Sequence, residues 1–303
     1  MMLVGVLCGL VTAVMHAIGY IFSRRFVVVQ HASVVRLLVL GHVIMAGIAV
    51  AAFPFVYSPE MPPLSEYAGP LLGASFFYFT GQTGLFIALR HTDASRISPL
   101  LGLKVAAVAM LSTVALGTTL TLTQWAAVAL AVAAAWILNA SGGLLPLASI
   151  LGTILAVTAY AVSDIFIKHL LDAMAPMGTL RGPMTAALLS YALCGFACIP
   201  TLPWLGSRRK GDWLWSAPYA VTWLTGIMFM FVSYNLAGLV LGNIAVGTRG
   251  LVSIALGVLL AKLGMVHLEQ RLEPGVLPRR IAAAIAMVLA IALFVAASQN
   301  APS

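Results

Sequence analysis

Ten apolar stretches, each about as long as a membrane-spanning helix, run through this chain with only short connections between them. A helix needs about 20 apolar residues to cross the hydrocarbon layer of a bilayer. Charged residues make up 8% of the chain, whereas soluble domains carry roughly 25%. We therefore predict an all-α membrane protein with ten transmembrane helices. The ten segments are residues 2–24, 33–57, 66–90, 95–117, 122–140, 146–170, 179–203, 214–238, 243–264 and 279–298.

The two halves of the chain align when one is shifted by 144 or 145 residues. The matched residues are Arg36 with Arg181, Thr80-Gly81 with Thr225-Gly226, Lys104 with Arg249, and Ile21-Phe22 with Ile165-Phe166. Each half holds five segments, and two odd-numbered halves in tandem must cross the bilayer in opposite senses. Secondary transporters often have this plan, with the substrate site near the bilayer midplane. We predict one membrane domain of two inverted five-helix repeats, residues 1–142 and 143–303.

Basic residues give the chain a net charge of +8, and most of them lie in loops on the face opposite the N-terminus. The positive-inside rule makes that face cytoplasmic and puts both termini outside. We expect a multi-pass protein of a bacterial inner (plasma) membrane, with the lipid bilayer and a small molecule as partners. Because no basic patch is long enough for nucleic acid, we predict none as a partner. The Ala-rich fifth and tenth segments suit either a packed scaffold or a homodimer face.

Lys104 and Arg249 are cations inside the fourth and ninth predicted segments. A charge at that depth costs at least roughly 2.5–3.5 kcal/mol on insertion scales, so it needs a partner or a water-filled cavity. Because the two residues occupy matched repeat positions, we predict that they straddle the midplane and bind an anionic substrate. The alternative is that Lys104 snorkels towards the membrane surface and Arg249 forms a structural ion pair.

Asp164 lies well inside the sixth segment, displaced towards the same side of the membrane as Arg249. We predict that these two residues form an ion pair in at least one state. A partly buried carboxylate can also carry a coupled proton, which is the alternative role for Asp164.

Several further polar residues inside the segments can line a central cavity and hydrogen-bond a substrate. They are His16, Tyr20, Tyr78, Gln82, Tyr160, Tyr234 and Asn235. Hydrogen bonding between helices is the alternative for each of them. His42 is a weaker candidate because neither shift gives it a polar counterpart.

No catalytic constellation occurs: the chain has no HExxH, GxSxG or GxxxxGK[ST] motif. The three cysteines lie in apolar segments without a zinc-ligand spacing. We predict no enzyme activity, no catalytic residues, no cofactor and no bound metal. Uphill movement of a solute would then use an ion gradient, counter-exchange or a separate subunit.

Three stretches carry a family resemblance: VVRLLVLGH opening the second segment, ALRHTDASRISPLLGL across the third and fourth, and QWAAVALAVAAAWILNAS in the fifth. They resemble the drug/metabolite transporter superfamily in its ten-helix EamA-like form. The chain departs from that family in lacking its Pro near Lys104 and Arg249 and its Gly-Glu pair after the fourth helix. The family's ten-helix members also usually keep both termini in the cytoplasm, against the charge count.

The placement of Lys104 and Arg249 resembles the triose-phosphate translocator branch, where basic residues in those two helices hold the substrate phosphate. This resemblance implies alternating access and a small organic anion, a carboxylate or phosphorylated metabolite, with Tyr234 as a helper. Two other hypotheses remain: an exporter of amino acids or other neutral metabolites with structural cations, and a membrane component that does not transport.

Overall fold

The structure is a computed structural model that describes residues 1–91, 100–139, 145–206, 211–262 and 276–299. Every regular element within these ranges is helical, which confirms the all-α class. The α-helices are α1 Met2–Val29, α2 Val34–Val56, α3 Leu64–His91, α4 Lys104–Ala115, α5 Leu122–Asn139, α6 Leu147–Ala173, α7 Arg181–Cys198, α8 Asp212–Ala237, α9 Leu239–Gly247, α10 Arg249–Lys262 and α11 Val276–Gln299. Short 3-10 turns occupy Leu100–Leu103, Ala175–Met177 and Ile199–Leu205.

Six of the described helical stretches are long and apolar enough to cross a membrane by length and composition; they lie in α1, α2, α6, α7, α8 and α11. Shorter apolar helices cover α4, most of α5, and the stretch from α9 into α10. Large apolar side chains such as Phe55, Val114 and Leu122 stand almost fully exposed on the outer surface. In water such a surface would be unfavourable, and in a bilayer it contacts lipid. These features confirm a multi-pass membrane protein.

The helix of the ninth predicted segment, residues 243–264, starts earlier than expected, at Leu239, and contains a one-residue turn; its predicted end lies outside the described residues. Gly238, with a φ of +81° that glycine adopts at little cost, ends α8 and lets α9 begin at the next residue. The single residue Thr248 then separates α9 from α10, and its hydroxyl donates to the carbonyl oxygen of Ala245 at 2.7 Å. Thr248 has helical dihedral angles, with φ −63° and ψ −11°, and its carbonyl oxygen accepts from the amide of Val252 at 3.1 Å, so α10 continues α9 after this turn.

Four helix pairs provide much of the packing: α1 with α8, α3 with α6, α2 with α7, and α5 with α11. The last pair buries Ala127, Ala131 and Ala134 of α5, and Ala283 and Ala290 of α11. The Ala-rich segments are thus used within the chain as a packed scaffold.

Helices α3 and α6 approach each other at backbone distance. A Cβ added at Gly84 would lie 2.7 Å from the carbonyl oxygen of Gly152 and 2.7 Å from the amide nitrogen of Ala156. Ser163 reinforces the contact by donating its hydroxyl to the carbonyl oxygen of Ala74 at 2.8 Å. Small residues at helix interfaces in membranes allow this packing, which stabilises through dispersion rather than through hydrophobic burial.

We expect Gly84→Ala to lower the free energy of unfolding by about 1–3 kcal/mol, the usual cost of overpacking a tight contact. Gly47→Ala in α2 is the control, since a Cβ there meets nothing within 4 Å and alanine has the higher helix propensity. Thermal unfolding of both variants in detergent measures the difference. Equal melting temperatures would mean that α3 and α6 are not in backbone contact.

Candidate functional site

A buried carboxylate joins four helices at one point. Asp164 on α6, with its side chain 3% exposed, accepts contacts from three donors at Oδ2. They are the Nζ of Lys104 at 2.7 Å, the Nδ2 of Asn243 at 2.8 Å and the hydroxyl of Tyr234 at 3.3 Å. Asn243 also donates to the carbonyl oxygen of Leu239 at 3.0 Å, which fixes its amide. We call Lys104, Asp164, Tyr234 and Asn243 the carboxylate cluster.

Asp164 pairs with Lys104 and not with Arg249, so the state described by this structure lacks the predicted Asp164–Arg249 pair. The cause lies in the packing of the helices that carry the two cations. Helix α4, which begins at Lys104, packs against α6, whereas α10, which begins at Arg249, packs against α1. The prediction compared how deep Asp164 and Arg249 lie along the membrane normal. Depth does not determine which helices are neighbours in the plane of the membrane.

Arg249 is half-buried and close enough to Lys104, His16 and Tyr160 to interact with them electrostatically. Among the described residues, its guanidinium has no hydrogen-bond or ion-pair partner. Both predicted cations therefore reach one region of the protein. Their situations differ, because Lys104 has a counterion and Arg249 has none there.

His16 is 2% exposed and stacks on Trp223, with the ring centroids 4.2 Å apart and the planes at 17°. The imidazole lies over Gly226, where an added Cβ would be 2.6 Å from its Cδ2. Neither ring nitrogen meets hydrogen-bond geometry with any described residue. Buried polar groups almost always have partners, so two unsatisfied ring nitrogens need an explanation.

A hydrogen-bonded chain runs between α2 and α3. The Nδ1 of His42 lies 2.7 Å from the carbonyl oxygen of Leu38, and a carbonyl can only accept, so Nδ1 carries the proton. In the neutral ring, the Nε2 of His42 then accepts from the hydroxyl of Tyr78 at 2.9 Å, and that hydroxyl accepts from the Nε2 of Gln82 at 2.8 Å. The weaker candidate His42 is thus joined to two of the predicted lining residues.

Aromatic contacts connect this chain to His16. His42 stacks on Tyr191 at a centroid distance of 5.9 Å, and the Nε1 of Trp223 donates to the hydroxyl of Tyr191 at 3.3 Å. Tyr160 packs against Tyr78 at 6.2 Å. We call these connected rings the aromatic cluster; its members are His16, Tyr20, His42, Tyr78, Tyr160, Tyr191, Tyr219 and Trp223.

A cavity of about 310 Å³ opens between α2, α3 and α7, and His42 and Gln82 form part of its wall. Most of its other lining side chains are apolar, such as Leu38 and Phe79. Space for a small molecule therefore exists next to the aromatic cluster.

Nine of the ten predicted site residues fall in or next to these clusters. Asn235 does not: its side chain is exposed and donates to the carbonyl oxygen of Thr179 at 3.2 Å. Tyr234, its neighbour in sequence, turns the other way into the bundle and is fully buried. Adjacent helical residues point about 100° apart, so only one of the two can face a given partner.

Sequence reasoning missed Asn243, Trp223 and Tyr191. A signal existed for Trp223, since the 145-residue shift places Tyr78 on it and both positions hold aromatic rings. Asn243 is a lone amide in the apolar run LVLGNIAV, which marks a buried polar group that requires a partner. Tyr191 falls on Ala46 under the same shift, so no repeat signal pointed to it.

Within the described residues, no group of three or more His, Cys, Asp and Glu side chains could hold a metal ion. The polar groups that the structure brings together are instead one carboxylate, two cations, amides, hydroxyls and imidazoles. This inventory can bind a polar solute through ion pairs and hydrogen bonds.

Residues 3–140 match the EamA-like transporter family. This part of the chain, which corresponds to the first predicted repeat, is similar to that family. A search of curated protein sequences found no match. A crystal structure of another protein shares the fold, with a TM-score of 0.64 at 14% identity, covering 96% of this chain and 99% of that chain. The match covers less than half of the chain, and it agrees with the resemblance to the drug/metabolite transporter superfamily seen in the sequence.

Proposed function

We propose that this EamA-like protein is a secondary transporter that moves a small organic anion across a bacterial inner membrane by alternating access. The anion is a carboxylate or a phosphorylated metabolite. The observation that carries the proposal is Arg249, a half-buried cation that lacks a hydrogen-bond or ion-pair partner among the described residues.

An unpaired cation in the low dielectric of a membrane interior is unfavourable by several kcal/mol, and an anion bound beside it offsets that cost. The Asp164 carboxylate is already paired with Lys104 at 2.7 Å and makes no ion pair with Arg249 in this structure. A solute that brings its own negative charge is the remaining kind of counterion for Arg249 within the described cluster.

The helix pairing supports two inverted repeats, residues 1–142 and 143–303, as the basis of alternating access. The repeat shift places α1 on α6 and α3 on α8. Swapping the two repeats therefore maps the contact between α1 and α8 onto the contact between α6 and α3, and both contacts occur in the structure. The close contacts follow the same rule: Tyr160 lies over Gly81 as His16 lies over Gly226. The 144- and 145-residue shifts relate these two contacts to each other.

The distribution of basic residues supports a topology with both termini outside, and a homodimer is a further option for the assembly. Labelling of a cysteine added at the N-terminus, by a reagent that cannot cross the membrane of intact cells, tests the topology. Labelling only after the cells are broken would place that terminus in the cytoplasm.

One observation favours the alternative, export of amino acids or other neutral metabolites. Asp164 neutralises the charge of Lys104 without any substrate. A cation with a purely structural role would be neutralised by the protein in the same way. Arg249 opposes this alternative, because it would remain unpaired around a neutral solute.

Transport by purified protein in liposomes tests the proposal. We expect uptake of at least one radiolabelled carboxylate or phosphate ester above the level of protein-free liposomes, and exchange for the same compound loaded inside. Panels of neutral sugars and zwitterionic amino acids are run in parallel. Uptake confined to these neutral and zwitterionic solutes would contradict an anion carrier and favour the alternative.

A further inference from the structure

The cavity between α2, α3 and α7 is separate from the carboxylate cluster, none of whose members lines it. Its volume of about 310 Å³ falls at the lower end of the range of ligand pockets, about 300–1,000 Å³. Thr83 and Ala197 on its wall are exposed, whereas Gln82 and Cys198 are buried. The cavity therefore has both an entrance and a buried end, and it has room for a small molecule.

The wall of the cavity offers no partner for a charged group. Among its described lining residues, His42 is the only one with an acidic or basic side chain. Both nitrogens of that neutral ring are used within the protein, Nδ1 by the carbonyl oxygen of Leu38 and Nε2 by the hydroxyl of Tyr78. Moving a charged ligand from water into such surroundings is unfavourable by several kcal/mol. The cavity therefore selects an uncharged molecule.

Gln82 provides hydrogen-bonding groups that the protein leaves unused. The residue is 9% exposed, and its Nε2 donates one hydrogen to the hydroxyl of Tyr78 at 2.8 Å. No described residue accepts the second hydrogen of this Nε2. The Oε1 of Gln82 also has no hydrogen-bond partner among the described residues, yet it is not sealed from solvent. A ligand in the cavity can therefore reach the Gln82 amide.

The two threonines on the wall can only accept hydrogen bonds from a ligand. The hydroxyl of Thr83 donates to the carbonyl oxygen of Phe79 at 3.0 Å, and that of Thr201 to the carbonyl oxygen of Cys198 at 2.7 Å. A hydroxyl has a single hydrogen, so only its oxygen lone pairs remain. Together with the Oε1 and the remaining hydrogen of Gln82, these oxygens make three acceptors and one donor. A ligand with more N–H or O–H donors than acceptor atoms matches them.

We infer that this cavity binds a small, uncharged primary carboxamide with an apolar body. A primary carboxamide has two N–H donors and one carbonyl oxygen. One N–H donates to the Oε1 of Gln82, the carbonyl oxygen accepts from its Nε2, and the second N–H donates to a threonine oxygen. The apolar body packs against lining side chains such as Leu38 and Phe79.

Protection of Cys198 from alkylation tests the inference, because this residue forms part of the cavity wall. The double variant Cys8→Ala, Cys194→Ala keeps Cys198 as its single thiol. Intact-mass spectrometry follows the reaction of this protein with N-ethylmaleimide in lipid nanodiscs. The probes are 3-phenylpropanamide, its N,N-dimethyl derivative, 3-phenylpropanoate and butylbenzene. The primary amide should halve the reaction rate at a concentration at least about tenfold lower than the other three, because each of these lacks the N–H donors.

Two further variants in the same background assign the contact. Gln82→Met keeps an unbranched side chain and removes the amide, so it should weaken protection by 3-phenylpropanamide about tenfold and leave protection by butylbenzene unchanged. Ala197→Phe fills part of the cavity and should weaken protection by both compounds. If Gln82→Met does not fold, the four probes and Ala197→Phe still decide the outcome.

Several results would overturn the inference. Protection by butylbenzene at the same concentration as the amide would indicate a groove for lipid chains. Protection by 3-phenylpropanoate at that concentration would show that the cavity does not exclude charge. No protection by 3-phenylpropanamide, or a Cys198 thiol that does not react at all, would also overturn it. None of these results bears on the anion carrier, since the experiment measures binding at another place in the protein.

Discussion

Replacing Lys104 with Met while Asp164 is retained should lower the free energy of unfolding by about 3–5 kcal/mol, the usual cost of removing one partner of a buried ion pair. The large effect follows from the burial of the carboxylate, whose side chain is 3% exposed. Without Lys104, Asp164 would keep only the neutral donors Tyr234 and Asn243. Unfolding in detergent, by heat or by a graded denaturant, measures the loss.

Two controls make this result specific. The double variant Lys104→Met, Asp164→Asn removes both charges and should recover most of the stability, because a buried pair replaced as a whole is often close to neutral. Lys168→Met on α6 breaks a more exposed pair with Asp172 and should cost less than about 1 kcal/mol. If Lys104→Met is no more harmful than Lys168→Met, the Lys104–Asp164 pair is not a buried ion pair.

Replacing Arg249 with Gln should reduce anion transport by about 30-fold or more, the effect of losing at least about 2 kcal/mol from a desolvated charge contact. Stability should be kept or increased, because the substitution removes a cation that has no hydrogen-bond or ion-pair partner among the described residues. Lys104→Met and Arg249→Gln therefore differ in kind: the first acts mainly on folding and the second mainly on transport. Initial uptake rates in liposomes, normalised to the amount of inserted protein, measure the effect.

Arg181→Gln is the matched control, since Arg181 is the exposed first residue of α7 and undergoes the same chemical change. It should transport at a rate close to that of the wild-type protein. A parallel loss in both variants would point to a general effect of basic residues on insertion or orientation. Unimpaired transport by Arg249→Gln would remove Arg249 from the substrate site.

The architecture could be predicted because long apolar runs in a chain with 8% charged residues have few alternative folds. The error in the ninth segment shows where this reasoning stops. Hydropathy does not register a one-residue turn such as Thr248, because the whole stretch Leu239–Ser253 is apolar. The turn at Gly238 was also missed, because glycine occurs both within membrane helices and at their ends.

The sequence predicts which residues belong to the site better than it predicts which of them contact each other. Lys104 and Asp164 stand out because charged residues inside apolar segments are rare. Their pairing depends on which helices pack side by side, and that information is absent from depth along the membrane. Trp223 and Tyr191 were missed for another reason: aromatic residues are common in membrane helices, and the stacking of these rings on His16 and His42 is a property of the tertiary structure.

The most direct test of an anion held by Arg249 is a crystal structure with a bromine-substituted carboxylate, whose anomalous scattering locates the ligand without ambiguity. We predict an anomalous peak beside Arg249, with the carboxylate on the guanidinium and the Lys104–Asp164 pair intact. A peak confined to the cavity beside His42 and Gln82, or a carboxylate that has taken the place of Asp164 on Lys104, would contradict the account.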